Sequence, residues 1–135
     1  MYSHLVQYYE TDKMGITHHS NYIRFMEEAR LDFFKNLGYD YLEFEKMGVF
    51  SPVVGLNNIR YKKPSTVNDV IDIEVSIKSM NAITFVVSYV MKIKDVIIFT
   101  GESEHCLVSK EGKILPLNNK LTTSFYEKIK GLIKE

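Results

Sequence analysis

The sequence predicts an α+β fold in which an antiparallel sheet wraps around one long central helix. From Asn21 to Leu37 apolar residues recur every three or four positions, and between Val70 and Ile93 they alternate with polar ones. The connections Met80-Asn81-Ala82 and Lys94-Asp95 are too short for anything but antiparallel hairpins. An apolar helix and a sheet with one buried face satisfy each other when the helix covers the sheet's inner face.

Taken in order, His4 to Tyr9 is short and rich in β-formers and predicts a strand. Glu10-Thr-Asp-Lys-Met-Gly15 follows as a loop, because Asp and Gly are turn residues. In the long helix Tyr22, Phe25, Met26, Ala29, Phe33 and Leu37 share one face, while Glu27, Glu28, Arg30 and Lys35 lie elsewhere. Ile23, Leu31 and Phe34 add apolar residues off that stripe, so the helix is expected to be enclosed. Gly38 stands where a helix C-terminus favours a left-handed residue. A short helix is expected from Tyr39 to Met47, ending at Gly48.

Four strands follow. Val53 to Tyr61 is the first. In the second, Ile71, Ile73, Val75 and Ile77 alternate with Asp72, Glu74, Ser76 and Lys78. The third places Ile83, Phe85, Val87, Tyr89, Met91 and Ile93 on one face, and the fourth runs from Val96 to Val108. Leu121, Phe125, Ile129 and Leu132 then predict a C-terminal helix, with Ser124 and Glu127 spaced as a capping box.

Hydrophobic residues make up 45% and charged residues 25% of the 135, the balance of a globular chain. No repeat or linker interrupts it, so one domain is expected from residue 1 to 135. Seventeen Lys and Arg against seventeen Asp and Glu leave no net charge, and no global field draws the protein to nucleic acid or an anionic membrane. No apolar stretch approaches the ~20 residues of a membrane span, and the N-terminus lacks an export signal. Cys106 is the single cysteine, which excludes an intrachain disulfide and a cysteine-rich zinc site and fits a reducing cytoplasm.

Polar and titratable residues are densest from Tyr8 to Tyr22, between the first strand and the start of the long helix. A helix N-terminus offers free N–H donors that suit an oxyanion or a polarised carbonyl. Asp12 is close enough in sequence to share that place, and a carboxylate there can attack a carbonyl or take a proton from water. The same residues also have plain readings. Asp12 with Lys13 and Gly15 can be a turn, and Ser20 or Asn21 can cap the helix. Adjacent His18 and His19 diverge and have no third ligand at a metal-binding spacing, so no metal is expected. Cys106 and His105 face opposite sides of a strand, which makes Cys106 a small buried hydrophobe rather than a nucleophile.

The stretch Tyr9-Glu-Thr-Asp12-Lys-Met-Gly15-Ile-Thr-His-His19-Ser-Asn21-Tyr22, then Glu28-Ala-Arg30, then Arg60-Tyr61-Lys-Lys-Pro64 with Asp69, resembles the 4-hydroxybenzoyl-CoA thioesterase branch of the hotdog-fold acyl-CoA thioesterases. The resemblance covers nearly the whole chain. Its specific part is T-D-x-x-G followed by H-x-N-Y at the helix start.

By resemblance, Asp12 matches the catalytic carboxylate, either as nucleophile or as general base for water. Gly15 matches the glycine that folds the loop close to the substrate, and His19 the residue whose backbone N–H polarises the thioester carbonyl, a histidine in a large subset of the family, where its side chain can assist. Asn21 and Tyr22 match residues that fix the loop to the helix and line the acyl pocket. The resemblance implies no metal and no organic cofactor. It also implies paired subunits whose sheets join edge to edge, giving a homodimer or a dimer-based tetramer with the active site at the interface. Such pairing would cover an apolar edge, for which Val96 to Phe99 is the candidate.

Coenzyme A carries phosphates, so Arg60, Lys62 and Lys63 are candidates for its binding. Met14 and His18 depart from the commoner family pattern and are expected to shape the acyl pocket. The function implied is hydrolysis of a short-chain, medium-chain or aromatic acyl-CoA to the free acid and CoA. An acyl-thioester dehydratase or hydratase is the rival enzyme, but it needs a His with an acid beside the substrate carbonyl, where this motif supplies Asp12. A non-catalytic acyl-CoA-binding protein is the rival from another class.

Overall fold

The computed structural model describes residues 1–133, so the expected domain reaches two residues, 134 and 135, beyond what is described. The elements are β1 (Tyr2–Leu5), α1 (Asn21–Asn36), α2 (Tyr41–Lys46), β2 (Val49–Phe50), β3 (Val53–Tyr61), β4 (Val70–Met80), β5 (Thr84–Ile93), β6 (Val96–Ser109), β7 (Ile114–Leu115) and α3 (Thr123–Leu132). All strand pairs are antiparallel, and the sheet runs β1-β4-β5-β6, with β3 on the far side of β6 and the two short strands β2 and β7 at the end of β6.

The β5–β6 turn is the two-residue hairpin expected at Lys94-Asp95, and both residues have positive φ, as a type I′ turn requires. The β4–β5 turn is closed by Asn81, whose side-chain oxygen accepts from the N–H groups of Ile83 and Thr84 at 2.8 and 2.7 Å. Ile71, Ile73 and Ile77 of β4 and Phe85, Val87, Tyr89 and Met91 of β5 are buried on the inner face, as the alternation predicts. Ile83 precedes β5 and is exposed.

Helix α1 lies in the hollow of the sheet and buries Tyr22, Phe25, Met26, Ala29 and Phe34. Phe34 rather than Phe33 is the buried one of its pair. The sheet curls past the helix, and α2 and α3 close its other flank, where Phe34 meets Phe85 and Phe125 at 6.0 and 5.6 Å between ring centres.

Several boundaries differ from expectation. β1 ends at Leu5, and the next residues form a single 3-10 turn at Tyr8–Glu10, drawn in by Gln7 N–H donating to the Glu10 carboxylate at 2.8 Å. α2 starts after Asp40, whose carboxylate accepts from Leu42 N–H at 3.0 Å. No capping box forms between Ser124 and Glu127: α3 starts one residue earlier, and the Ser124 hydroxyl bonds Tyr39 at 2.7 Å. Leu121 is exposed ahead of α3. Val96 to Phe99 does not form the exposed edge strand expected: β6 sits between β5 and β3, Ile98 and Phe99 are buried in the core, and Val96 and Ile97 alone of the four are exposed, ahead of the β3 pairing that ends at Phe99. The exposed apolar edge is β3, with Val53, Val54 and Leu56 open to solvent.

Candidate active site

The loop from Glu10 to Ser20 is folded by its own backbone. Gly15 N–H donates to Asp12 C=O at 3.0 Å and Met14 N–H to Asp12 Oδ1 at 2.8 Å, a tight turn that needs the positive φ of +79° at Gly15. Asp12 N–H donates to Ile16 C=O at 2.8 Å. Glu10 C=O ties the two ends of the loop, accepting from His18 N–H at 2.8 Å and from Asn21 Nδ2 at 2.9 Å.

A second set of bonds docks the loop on the segment after β3. Thr17 N–H donates to Ser65 C=O, the Thr17 and Tyr22 hydroxyls meet Ser65 Oγ at 2.5 and 2.8 Å, and Thr66 Oγ1 donates to Gly15 C=O at 2.7 Å.

These bonds shape a cleft of about 260 Å³ lined by Asp12, His19, Tyr22, Tyr61, Lys62 and Lys63, among others. Five of the residues singled out in the sequence therefore meet there. Gly15 and Asn21 build the loop and do not line the cleft. Arg60 does not line it either: Tyr61 turns toward Tyr22 and Phe99, so its neighbour on the strand faces away. Met14 and His18 also stay outside. Met14 is 82% exposed, and the His18 ring bonds Ser20 Oγ at 2.9 Å and stacks beside His19.

Within the cleft, Asp12 is half-buried, with Oδ1 held by Met14 N–H. Among the described residues nothing donates to Oδ2. His19 N–H likewise has no acceptor among the described residues, whereas the His19 carbonyl accepts from Tyr22 N–H at 3.3 Å and from the Tyr61 phenol at 3.1 Å. No side chain caps α1, since Ser20 and Asn21 are committed to His18 and Glu10. Burial raises the pKa of the Tyr22 phenol despite the Ser65 bond, and burial also raises that of Tyr61, so both remain O–H groups at neutral pH.

Tyr61, Thr17 and Ser65 are the site residues missed by sequence reasoning. Tyr61 and Thr17 stood inside the quoted R-Y-x-x-P element and the quoted Tyr9 to Tyr22 stretch, which were the available signals; Ser65 carries none at the level of sequence.

A larger cavity of about 450 Å³ opens between α1, α2 and the sheet, with Phe34, Phe44, Phe85 and Phe125 as its apolar wall and Arg30 and Pro52 at its rim. Behind it Arg30 Nη1 donates to the Tyr89 hydroxyl at 3.1 Å, which meets Ser103 Oγ at 2.7 Å, which in turn meets His105 Nε2 at 2.7 Å. Arg30 can only donate, so the chain runs one way and leaves the ring proton of His105 on Nδ1. Burial, reinforced by Arg30, lowers the His105 pKa to about 3; the Pro52 backbone pulls the other way but completes no hydrogen bond with Nδ1. Cys106 is buried with its thiol pKa raised, so it is no nucleophile. Among the described residues no three His, Cys, Asp or Glu side chains converge to hold a metal, and no helix is long and apolar enough to cross a membrane.

A curled antiparallel sheet around one long helix is the hotdog architecture. The sequence profile of the Thioesterase-like superfamily matches residues 6–128, and the chain belongs to that superfamily. It is 39% identical over 118 residues to an Aquifex aeolicus protein named "Putative esterase", covering 87% of this chain and 90% of that one. It is 38% identical over 107 residues to the Bacillus subtilis "Putative acyl-CoA thioesterase YneP", covering 78% and 77%. Among solved structures, DHNA-CoA thioesterase from Staphylococcus aureus superposes with a TM-score of 0.89 at 30% identity, over 97% of this chain and 90% of that one.

Proposed function

We propose that this protein is an acyl-CoA thioesterase, hydrolysing a short-chain, medium-chain or aromatic acyl-CoA to the free acid and CoA at the Asp12 cleft. One observation carries the reading: an unpaired carboxylate oxygen on Asp12 and an unpaired backbone N–H on His19 belong to the same cleft. The thioester carbonyl would point its oxygen at the His19 N–H, where negative charge develops in the transition state. Asp12 would then attack the carbonyl carbon, or take a proton from the water that does. Tyr22 and Tyr61 form the wall. Lys62 and Lys63, free of carboxylate partners among the described residues, would meet the CoA phosphates at the mouth.

The reading includes a homodimer joined through β3, alone or within a tetramer. The free edge and exposed Val53, Val54 and Leu56 support it, as does an accessible surface of 8207 Å², since a monomer of 15.7 kDa typically exposes about 7,300 Å². A two-fold antiparallel pairing centred near Asn57 would set the Pro52 end of one β3 against the Tyr61 end of the other. The aromatic cavity of one subunit would then open beside the Asp12 cleft of its partner and receive the acyl group. A lone, buried Cys106 accords with a cytoplasmic location.

The test is thiol release from an acyl-CoA panel, acetyl through palmitoyl plus benzoyl and phenylacetyl. Turnover of part of the panel supports the reading and names the acyl class; binding of the panel without hydrolysis contradicts it.

A further inference from the structure

We infer that His4 is a positioning residue for the Asp12 loop, clamping it to helix α1 by bridging Glu10 and Glu28. Its kinetic arm rests on the thioesterase reading; the clamp itself does not.

His4 Nε2 lies 2.8 Å from Glu10 Oε1 and Nδ1 lies 2.8 Å from Glu28 Oε2. Each ring nitrogen thus meets a different carboxylate, one at the start of the loop and one on α1. The ring is packed on Phe25 at 4.0 Å between centres, and its side chain is 11% exposed, against 7% for Glu10 and 39% for Glu28.

Among the described residues no other side chain bridges the two carboxylates. From β1, the Tyr2 phenol donates to Glu28 at 3.3 Å, and Asp32 on α1 acts on that phenol. From β4, the residue opposite His4 is Ile71. Gln7 N–H adds a neutral bond to Glu10. Arg24 shares the outer cleft with Glu10 and Glu28, but its guanidinium bonds Asn21 Oδ1 at 3.2 Å. Among the described residues no Lys or Arg pairs with either carboxylate. The two ring nitrogens face separate carboxylates, so the cluster does not converge on a metal.

Position follows from Glu10. Its side chain takes the His4 bond, and its backbone carbonyl is the point that ties His18 and Asn21, the two residues that bracket His19. Freed from His4, a buried carboxylate without a counter-charge moves toward water and takes that carbonyl with it. Asp12 and the His19 N–H then lose their common frame.

The experiment compares wild type, His4→Leu and Glu28→Gln by amide hydrogen exchange of residues 11–21, corrected for intrinsic rates, and by kcat and KM on whichever acyl-CoA the panel selects. In His4→Leu loop exchange is expected to accelerate at least about tenfold, with β5 and β6 unchanged, and kcat to fall more than KM rises. Glu28→Gln should keep wild-type-like loop exchange, since its amide can still bond Nδ1 while Nε2 meets Glu10. Wild-type-like loop exchange in His4→Leu, or a loop loosened in Glu28→Gln as much as in His4→Leu, overturns the inference. If His4→Leu does not fold, Glu28→Ala, which removes the helix end of the clamp, takes its place, and wild-type-like loop exchange there overturns the inference. If wild type hydrolyses no acyl-CoA, the functional reading fails while the exchange arms still judge the clamp.

Discussion

The Tyr61 phenol donates to the carbonyl oxygen of His19 at 3.1 Å, so the end of strand β3 holds the peptide unit that begins helix α1. The ring also meets Tyr22 and Phe99 edge-on, at 5.3 and 5.2 Å between centres. Packing and hydrogen bond can therefore be separated by one substitution. Tyr61→Phe keeps the packing and removes the bond, so it should cost about 1 kcal/mol in denaturant unfolding, while kcat falls about fivefold as the peptide unit at His19 loses its anchor. The same loss of stability with kcat unchanged would assign the phenol to the fold alone.

Gly15 tests the loop from the other side. A Cβ there would meet nothing within 4 Å, so space is not what selects glycine; the φ of +79° is. Gly15→Ala should cost about 1 kcal/mol in denaturant unfolding, and kcat should fall because the turn also carries Asp12. An Ala variant with unchanged stability would show that the turn relaxes without strain.

His105 gives the fold a defined acid response. Its folded pKa, about 3, lies below the ordinary 6.5. The unfolded chain thus binds a proton that the folded chain refuses between these values. Stability is fully present above about pH 6.5 and falls as pH drops toward 3, by up to roughly 1.4 kcal/mol per unit from this group. Urea unfolding at pH 7 and pH 5 checks the sign, and His105→Gln should flatten the difference. An equal slope in that variant would place the acid response elsewhere.

The sequence made the helix and the sheet legible because each buries one face, and burial writes its period into the chain: Tyr22, Phe25, Met26 and Ala29 for α1, Ile71 to Ile77 for β4. Periodicity does not report strand order. It marked Val96 to Phe99 as apolar without saying that β3 would pair beyond it, and the exposed edge was therefore placed on the wrong strand. At the site, Asp12, His19 and Tyr22 were legible through their motif and the helix start. Ser65 was not, because its role comes from Thr17 and Tyr22 meeting it across forty or more residues. The His4 clamp was hidden likewise, its partners lying 6 and 24 positions away on other elements.

The β3 edge predicts an assembly that a single substitution should disturb. Leu56→Lys places a charge on the exposed apolar edge, where among the described residues β6 alone pairs with the strand. Sedimentation of wild type at micromolar concentration should give a dimer or tetramer mass, and the variant should shift toward monomer with lower kcat/KM. A monomeric wild type would contradict the interface.

The most direct measurement is hydrolysis of the best acyl-CoA by wild type and Asp12→Asn side by side, with His19→Ala as the third protein. Asp12→Asn should lose about 10²- to 10⁴-fold in kcat with its fold intact, whereas His19→Ala should lose little, because the donor is the backbone N–H that alanine retains. An Asp12→Asn protein that turns over at the wild-type rate would contradict the account.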